Sequence, residues 1–210
     1  MAQLKVNPTR MELKRLKERL KTSARGYKLL KDKTDEMIRR FVVIARENKI
    51  LREQVEQELG IALQGFVFSR AVSSNQVIDE AIIMPNRIIE LQCNKRSIMN
   101  VAVPSIDIKE QSVAQDMYPY SFTSVTQELD NSVEILDKLL VKLIKLAEVE
   151  KTCNMLADEI EKNKRRVNAL ENVIIPQLEE TIKFIKMKLD ENERSATVRL
   201  MKVKTMLEQN

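Results

Sequence analysis

The sequence predicts a mainly α-helical protein, a long antiparallel two-helix coiled coil with a small inserted head containing a short helix and a β-hairpin. Three observations carry that expectation. Stretches at about residues 11–66 and 126–207 each repeat apolar side chains at alternating three- and four-residue spacing, and a shorter non-periodic segment lies between them. A third is composition: three Gly, five Pro, no Trp and 32% charged residues suit long helices better than a layered core.

The first stripe reads Leu13, Leu16, Leu20, Ser23, Tyr27, Leu30, Thr34, Met37, Phe41, Ile44, Asn48, Leu51, Val55, Glu58 and Ala62. Its spacing averages about 3.5 residues per turn, the period of a left-handed coiled coil. Asn7-Pro8-Thr9 opens the helix, because Pro ends any preceding helix and Thr9 can accept from the freed amides while Glu12 closes a capping box. Gly26 interrupts the helix, and an interior glycine costs about 1 kcal/mol relative to Ala, which leaves two readings open there, a close backbone approach or a tolerated defect. Thr34, Asn48 and Glu58 are polar stripe positions, and Asn48 has the character of a register device.

The second helix is expected to start near Ser124, with Thr123, Ser124 and Thr126 as cap candidates. Leu129, Val133, Leu136, Leu139, Leu140, Leu143 and Leu146 form a broad face. The stripe then narrows to Cys153, Ala157, Ile160, Lys164, Val167, Leu170, Ile174 and Leu178, and continues through Ile182, Ile185, Leu189, Asn192, Ala196, Leu200, Val203 and Leu207. Pro176 interrupts this run and predicts a kink between Val173 and Pro176 rather than a stop, since the period resumes after it. Placing Leu13 opposite Leu200 makes paired residue numbers add to roughly 213 and leaves residues 124–149 overhanging the first helix.

The domain reading is therefore 1–66 for the first helix, 67–123 for the head and 124–210 for the second helix. In the head, Ser73-Ser74-Asn75 starts a short helix ending at Met84-Pro85. Residues Ile88–Cys93 and Ile98–Val103 read as strands joined by Asn94-Lys95-Arg96-Ser97. Such a hairpin is marginal alone and needs something to dock on.

Chemistry-bearing patterns are absent from the sequence. It has no His, no phosphate loop, no GxGxxG and no GxSxG, so no catalytic residue, metal site or cofactor is expected. Cys93 and Cys153 stand singly and read as buried or half-buried free thiols. No run of 18 uncharged apolar residues and no secretory leader pattern occurs, which predicts a cytoplasmic protein without direct membrane insertion. Residues 1–40 hold 13 Lys and Arg against five Asp and Glu, so the N-terminal end is basic, which reads either as a surface for an anionic or acidic-lined partner or as a solvated helix face.

Four runs carry a resemblance: Asn7-Pro8-Thr9-Arg10-Met11-Glu12-Leu13, then Arg25-Gly26-Tyr27-Lys28-Leu29-Leu30-Lys31-Asp32-Lys33, and in the second helix Glu161-Lys162 with Arg165-Arg166-Val167-Asn168-Ala169-Leu170-Glu171 and Ile175-Pro176-Gln177-Leu178-Glu179-Glu180-Thr181-Ile182. Together they resemble the D subunit of the V-type and archaeal-type rotary ATPases. The resemblance covers both helices. It implies a non-catalytic central rotor shaft whose tip enters a hexamer of A and B subunits, with the F subunit clasping the coil and the head meeting a funnel-shaped subunit on the membrane ring. Rotation would couple ATP hydrolysis or synthesis to proton or sodium transport, at the periphery of the membrane. For this role the candidate tip contacts are Arg10, Lys14, Lys17, Lys21 and Arg25 on the first helix with Arg199, Lys202 and Lys204 on the second. Periodicity alone leaves two other classes open. A prefoldin-like chaperone would need apolar, splayed helix tips, whereas this tip is rich in Lys and Arg. A basic coiled-coil nucleic-acid scaffold is permitted by the N-terminal charge, but stacking aromatics are scarce, so no nucleic-acid partner is expected.

Overall fold

A computed structural model describes residues 6–83, 88–111, 120 and 126–208. The elements run α1 (Arg10–Val72), α2 (Asn75–Ile82), β1 (Ile88–Ile98), β2 (Val101–Gln111), α3 (Gln127–Ala169), a π-helical turn (Leu170–Ile174) and α4 (Ile175–Glu208). They form two compact units, residues 1–36 with 160–210 and residues 37–159. The architecture is mainly α, with antiparallel two-helix packing in each unit and a short helix and β-hairpin in the second. The expected helix end at Met84-Pro85 and the cap residues Thr123 and Ser124 lie outside the described residues.

Helix α1 starts where the sequence places its cap. The Thr9 side chain accepts from the Glu12 amide at 3.2 Å, satisfying one of the first-turn donors that has no carbonyl partner. Beyond it, every residue of the α1 stripe from Leu13 to Ala62 is buried or half-buried. In the first unit Leu16, Leu178 and Ile185 form a cluster, flanked by Leu13, Leu20, Ile174, Ile182 and Leu189. Each fully buried member contributes about 1.5–3 kcal/mol relative to exposure.

The register differs from the expected one. Arg10 pairs with Glu193 in the first unit, while Arg52 pairs with Glu150 at 3.4 Å and Glu58 with Lys142 in the second. Partner numbers thus add to 200–203 rather than 213. The offset has a physical cause: sliding a 3-4 repeat by about 11 residues, one heptad plus one turn, superposes the stripe on itself, so periodicity cannot select between the two. Charge pairing can. The predicted overhang of residues 124–149 is consequently not found, because Glu58 already faces Lys142 and a Cβ on Gly65 would stand 2.4 Å from Ser132 Oγ.

The second strand of the seam also departs locally from the expected stripe. Leu156 and Asn163 are buried, whereas Ala157 and Lys164 are exposed. Polar residues are tolerated there because most bond within their own helix. Thr34, Ser69, Ser132, Thr152 and Thr181 each donate to the carbonyl four residues earlier, at 2.7–3.0 Å. Asn48 differs, as its Oδ1 is buried with no hydrogen-bond partner among the described residues.

In the head, α2 buries Ile78 and Ala81 and is tied to the end of α1 by Arg70, which donates to Asn75 Oδ1 at 3.0 Å and pairs with Asp79 at 3.6 Å. The hairpin is longer than expected and turns elsewhere. Ile98 pairs with Val101, so the loop is Met99-Asn100, with φ of 51° and 68°. Positive φ at both central positions fits the right-handed twist of the strands, and Asn tolerates it better than most side chains. Asn94–Ser97 are strand residues, and Pro104 continues β2 opposite Lys95. A two-stranded sheet has only edges, which is where Pro is accommodated.

The Gly65 contact makes a testable seam. Gly65→Leu is expected to lower stability by about 1–3 kcal/mol through overpacking. Gly65→Ala should be stabilising only when Ser132→Ala removes the facing hydroxyl, where helix propensity adds about 1 kcal/mol. Urea denaturation of Gly65→Leu, Gly65→Ala, Ser132→Ala and the Gly65→Ala/Ser132→Ala double variant checks this.

Candidate partner-binding surface

The predicted contact residues separate into two groups. On α1, Arg10, Lys14, Lys17, Lys21 and Arg25 are all exposed, since the seam occupies the opposite face at Leu13, Leu16, Leu20 and Ser23. Arg10 is engaged with Glu193. On α4, Arg199, Lys202 and Lys204 are exposed, and Lys204 pairs with Glu208 at 3.6 Å. The register does not bring the groups level with each other. Glu193 stands opposite Arg10, so Arg199 to Lys204 lie six to eleven residues farther along α4, about 9–17 Å at helical rise.

This projecting end is not purely basic. All residues from Glu191 to Glu208 are exposed, including Leu200 and Leu207 at 70% and 72%, together with Met201, Val203 and Met206. Stripe positions Ala196, Leu200, Val203 and Leu207 therefore have no facing helix among the described residues. An apolar stripe beside Arg199, Lys202 and Lys204 is a surface with both contact area and positive charge. Sequence reasoning counted those leucines as seam and so missed them as surface. The distribution of charge pairs across the helices was the available signal.

Along α1, Lys31 lies 5.7 Å from the centroid of the Tyr27 ring and its ammonium donates to the Tyr27 hydroxyl at 3.4 Å. The hydrogen bond to Tyr27, the charge of Tyr27 at high pH and the Glu171 carboxylate hold Lys31 above the ordinary lysine value. The group stays cationic across the physiological range. Pro176 follows the π-helical turn, in which the Ile175 amide donates to the Leu170 carbonyl. Proline has no amide to give to residue 172 and its ring crowds that carbonyl, and a wider turn just before it accommodates both defects.

In the second unit, α1 residues Leu63, Gln64, Val67, Phe68 and Ala71 line a shallow apolar groove of about 430 Å³. Hydrophobic side chains dominate it, and Leu63, Val67 and Phe68 are exposed. No cluster of His, Cys, Asp and Glu suited to a metal occurs among the described residues, and no described helix is long and apolar enough to cross a membrane.

The two thiols behave differently from one another. Cys153 is buried, as expected, and burial first, then the carboxylates of Glu150 and Glu47, push its thiol up. Cys93 is exposed, contrary to expectation, because it sits on a two-stranded sheet rather than under a layer. A raised value keeps Cys153 as neutral thiol to higher pH, and the thiolate is the nucleophile. Alkylation at pH 7.5 should therefore modify Cys93 at least about tenfold faster in the folded chain, with the difference lost in denaturant. Mass spectrometry of the two peptides reads it.

The family described as the D subunit of ATP synthase matches residues 12–205. A V-type ATP synthase D subunit of Clostridium novyi is 53% identical over 99% of this chain and 97% of its own length. Those of Clostridium botulinum strain Alaska E43 and Thermoanaerobacter sp. strain X514 are 51% and 49% identical, each over at least 99% of both chains.

Proposed function

The chain belongs to the family of ATP synthase D subunits, and from that premise we propose that it is the central rotor shaft of a V-type ATPase or ATP synthase. It couples ATP hydrolysis or synthesis in a hexamer to rotation of a membrane ring and to transport of protons or sodium ions. The chain itself is non-catalytic and cytoplasmic, peripheral to the membrane, with no nucleic-acid partner. Residues 1–66 and 124–210 are the two strands of the shaft, and 67–123 are its head.

The observation that carries this reading is the exposed end of α4. Leu200, Met201, Val203, Met206 and Leu207 present an apolar stripe to the surroundings, with Arg199, Lys202 and Lys204 beside it. An exposed apolar stripe of this kind is costly in water and suits an axle in a socket, where a sleeve of partner side chains covers the apolar atoms. Arg10, Lys14, Lys17, Lys21 and Arg25 then act lower on the same end, as long solvated cations whose contacts change little with angle. An asymmetric axle presents different faces to the surrounding subunits, and differential contact biases each between its conformations. The A and B subunits form that socket, the F subunit grips the coil, and a funnel-shaped subunit receives the head. The groove at Leu63, Val67 and Phe68 gives the head end an apolar surface for this last contact. At Pro176 we propose a bend in the second strand, with the preceding π-helical turn as its local cause.

Apolar helix ends would also suit a chaperone, but identity near 50% over the whole length with V-type ATP synthase D subunits decides for the shaft. Co-purification at one copy per nucleotide-binding hexamer tests the proposal, and recovery of the chain without a hexamer would reject it. Deleting residues 195–210 removes, among the described residues, only exposed helix, so the truncated chain should keep its helical circular dichroism and its melting midpoint to within a few degrees. Reconstituted complexes carrying it should lose coupling between ATP hydrolysis and ion transport by about tenfold or more, an effect of roughly 1.4 kcal/mol in the coupling step.

A further inference from the structure

Within the first unit the second strand changes its step where α1 does not. Leu170, Ile174, Leu178 and Ile182 follow each other at four residues each, whereas Leu20, Ser23, Tyr27 and Leu30 on the facing stretch of α1 keep the 3-4-3 alternation. An α-helix turns about 100° per residue, so each four-residue step overshoots a full turn by about 40°, and three of them would carry the stripe about 120° around the helix. All four residues nonetheless stay on the seam, buried or half-buried. The π-helical turn at Leu170–Ile174 accounts for this, because a turn that holds more residues rotates less per residue and offsets part of the drift.

The same level is poorly packed. Arg10 with Glu193 and Lys31 beside Glu171 set residues 25–33 of α1 opposite 169–177, and no residue of either stretch is buried. Leu178, Thr181, Ile185 and Leu16 are buried on one side of it, and Thr34 and Val167 on the other. The gap is about two and a half helical turns, enough for two or three seam layers. Gly26 falls inside it, and a Cβ added there would meet nothing within 4 Å, so the chain makes no close approach to that glycine.

Pro176 lies in the gap as well. In an α ladder the Asn172 carbonyl would lack its donor, and in a π ladder the Glu171 carbonyl would. Neither pattern wins on that count. Packing does not choose between them either, since few buried contacts are broken when this turn rearranges.

We propose that residues 169–177, with 25–33 of α1, form a joint in the coil, where the second strand exchanges π for α hydrogen bonding and the coil twists and bends. The Ile175 amide, which donates to the Leu170 carbonyl, passes to that of Glu171 in the exchange. Buried layers on both sides hold the strands in phase, so the rotation is confined to the gap. In a shaft, the joint lets the tip and the coil beyond it differ in angle. It is a property of the chain itself, so its failure and the failure of the shaft reading are separate results.

The test uses the full-length chain, wild type and Pro176→Ala, with hydrogen exchange and spin-label distances. In wild type the amides of residues 170–177 should exchange at least about tenfold faster than those of 160–167 and 178–186. Labels at Lys164 and Glu179 span the joint, and labels at Glu179 and Arg194 span as many residues beyond it, both about 22 Å apart at helical rise. Cys93→Ser and Cys153→Ala remove the native thiols. The span across the joint should give a distribution at least about 1.5 times as wide as the reference span. Pro176→Ala supplies the missing amide and favours the α pattern, so it should narrow that distribution toward the reference and slow the exchange at least about threefold. Equal exchange over residues 160–186, or equal widths for the two spans, overturns the joint. So does a folded Pro176→Ala chain with wild-type width and exchange, and so does fast exchange that spreads inward from the end of α4, which marks fraying.

Discussion

The antiparallel seam positions every other feature of the chain, and its register is set by charge as much as by apolar packing. In the first unit the layer of Leu16, Leu178 and Ile185 supplies burial, and Arg10 with Glu193 places its end. In the second, Glu58 with Lys142 and Arg52 with Glu150 select one alignment from those that the stripe allows. These pairs are partly exposed, so each adds little to stability. Their effect is discrimination: a slide along the seam separates opposite charges without changing the apolar contact much. Gly65 against Ser132 adds a steric check, since a Cβ at position 65 would stand 2.4 Å from the Ser132 hydroxyl.

That register decides which surface is left for partners. Because Arg10 faces Glu193, the last turns of α4 run past the beginning of α1 and carry their apolar residues into the open. The same amino acids, Leu200, Val203 and Leu207, would be a buried seam in the alternative alignment. Exposure of a stripe with seam periodicity converts a folding element into a contact element. Helix strength is retained there without a facing helix because α4 is rich in Lys, Arg, Met, Leu and Glu, all good helix formers. The basic flank of α1 supplies charge on the remaining face, where Lys31 is held cationic by Tyr27 and Glu171.

The α1 stripe was legible throughout, since a strict 3-4 alternation survives even the polar insertions at Thr34, Asn48 and Glu58. The helical class, the head and its hairpin followed from the same reading. Three features did not. Asn163 is buried in place of Lys164, and Leu156 in place of Ala157, because between Cys153 and Val167 the 3-4 alternation runs 3-4-3-4 instead of the expected 4-3-4-3, a phase that spacing alone does not distinguish. The hairpin turn at Met99-Asn100 lacks the glycine that marks such turns, while the polar run Asn94–Ser97 imitates a loop although it is strand. Register escaped for the reason already given, that periodicity is degenerate under translation. Of the site residues, exposure of the eight cations was readable from their place off the stripe. The axial separation between the α1 and α4 groups was not, because it depends on register alone.

Distance measurement between spin labels at Lys17 and Lys204 tests the seam most directly. With partner numbers adding to about 202, Lys17 stands level with residue 185 and Lys204 lies about 28 Å farther along the helix axis. A label pair at Lys17 and Lys186 serves as the near reference, expected below about 20 Å from the width of two packed helices. The account predicts a Lys17–Lys204 distance of about 30 Å. A value near 15 Å would put Leu13 opposite Leu200, bury the α4 stripe in the seam and contradict the exposed axle on which the functional proposal depends.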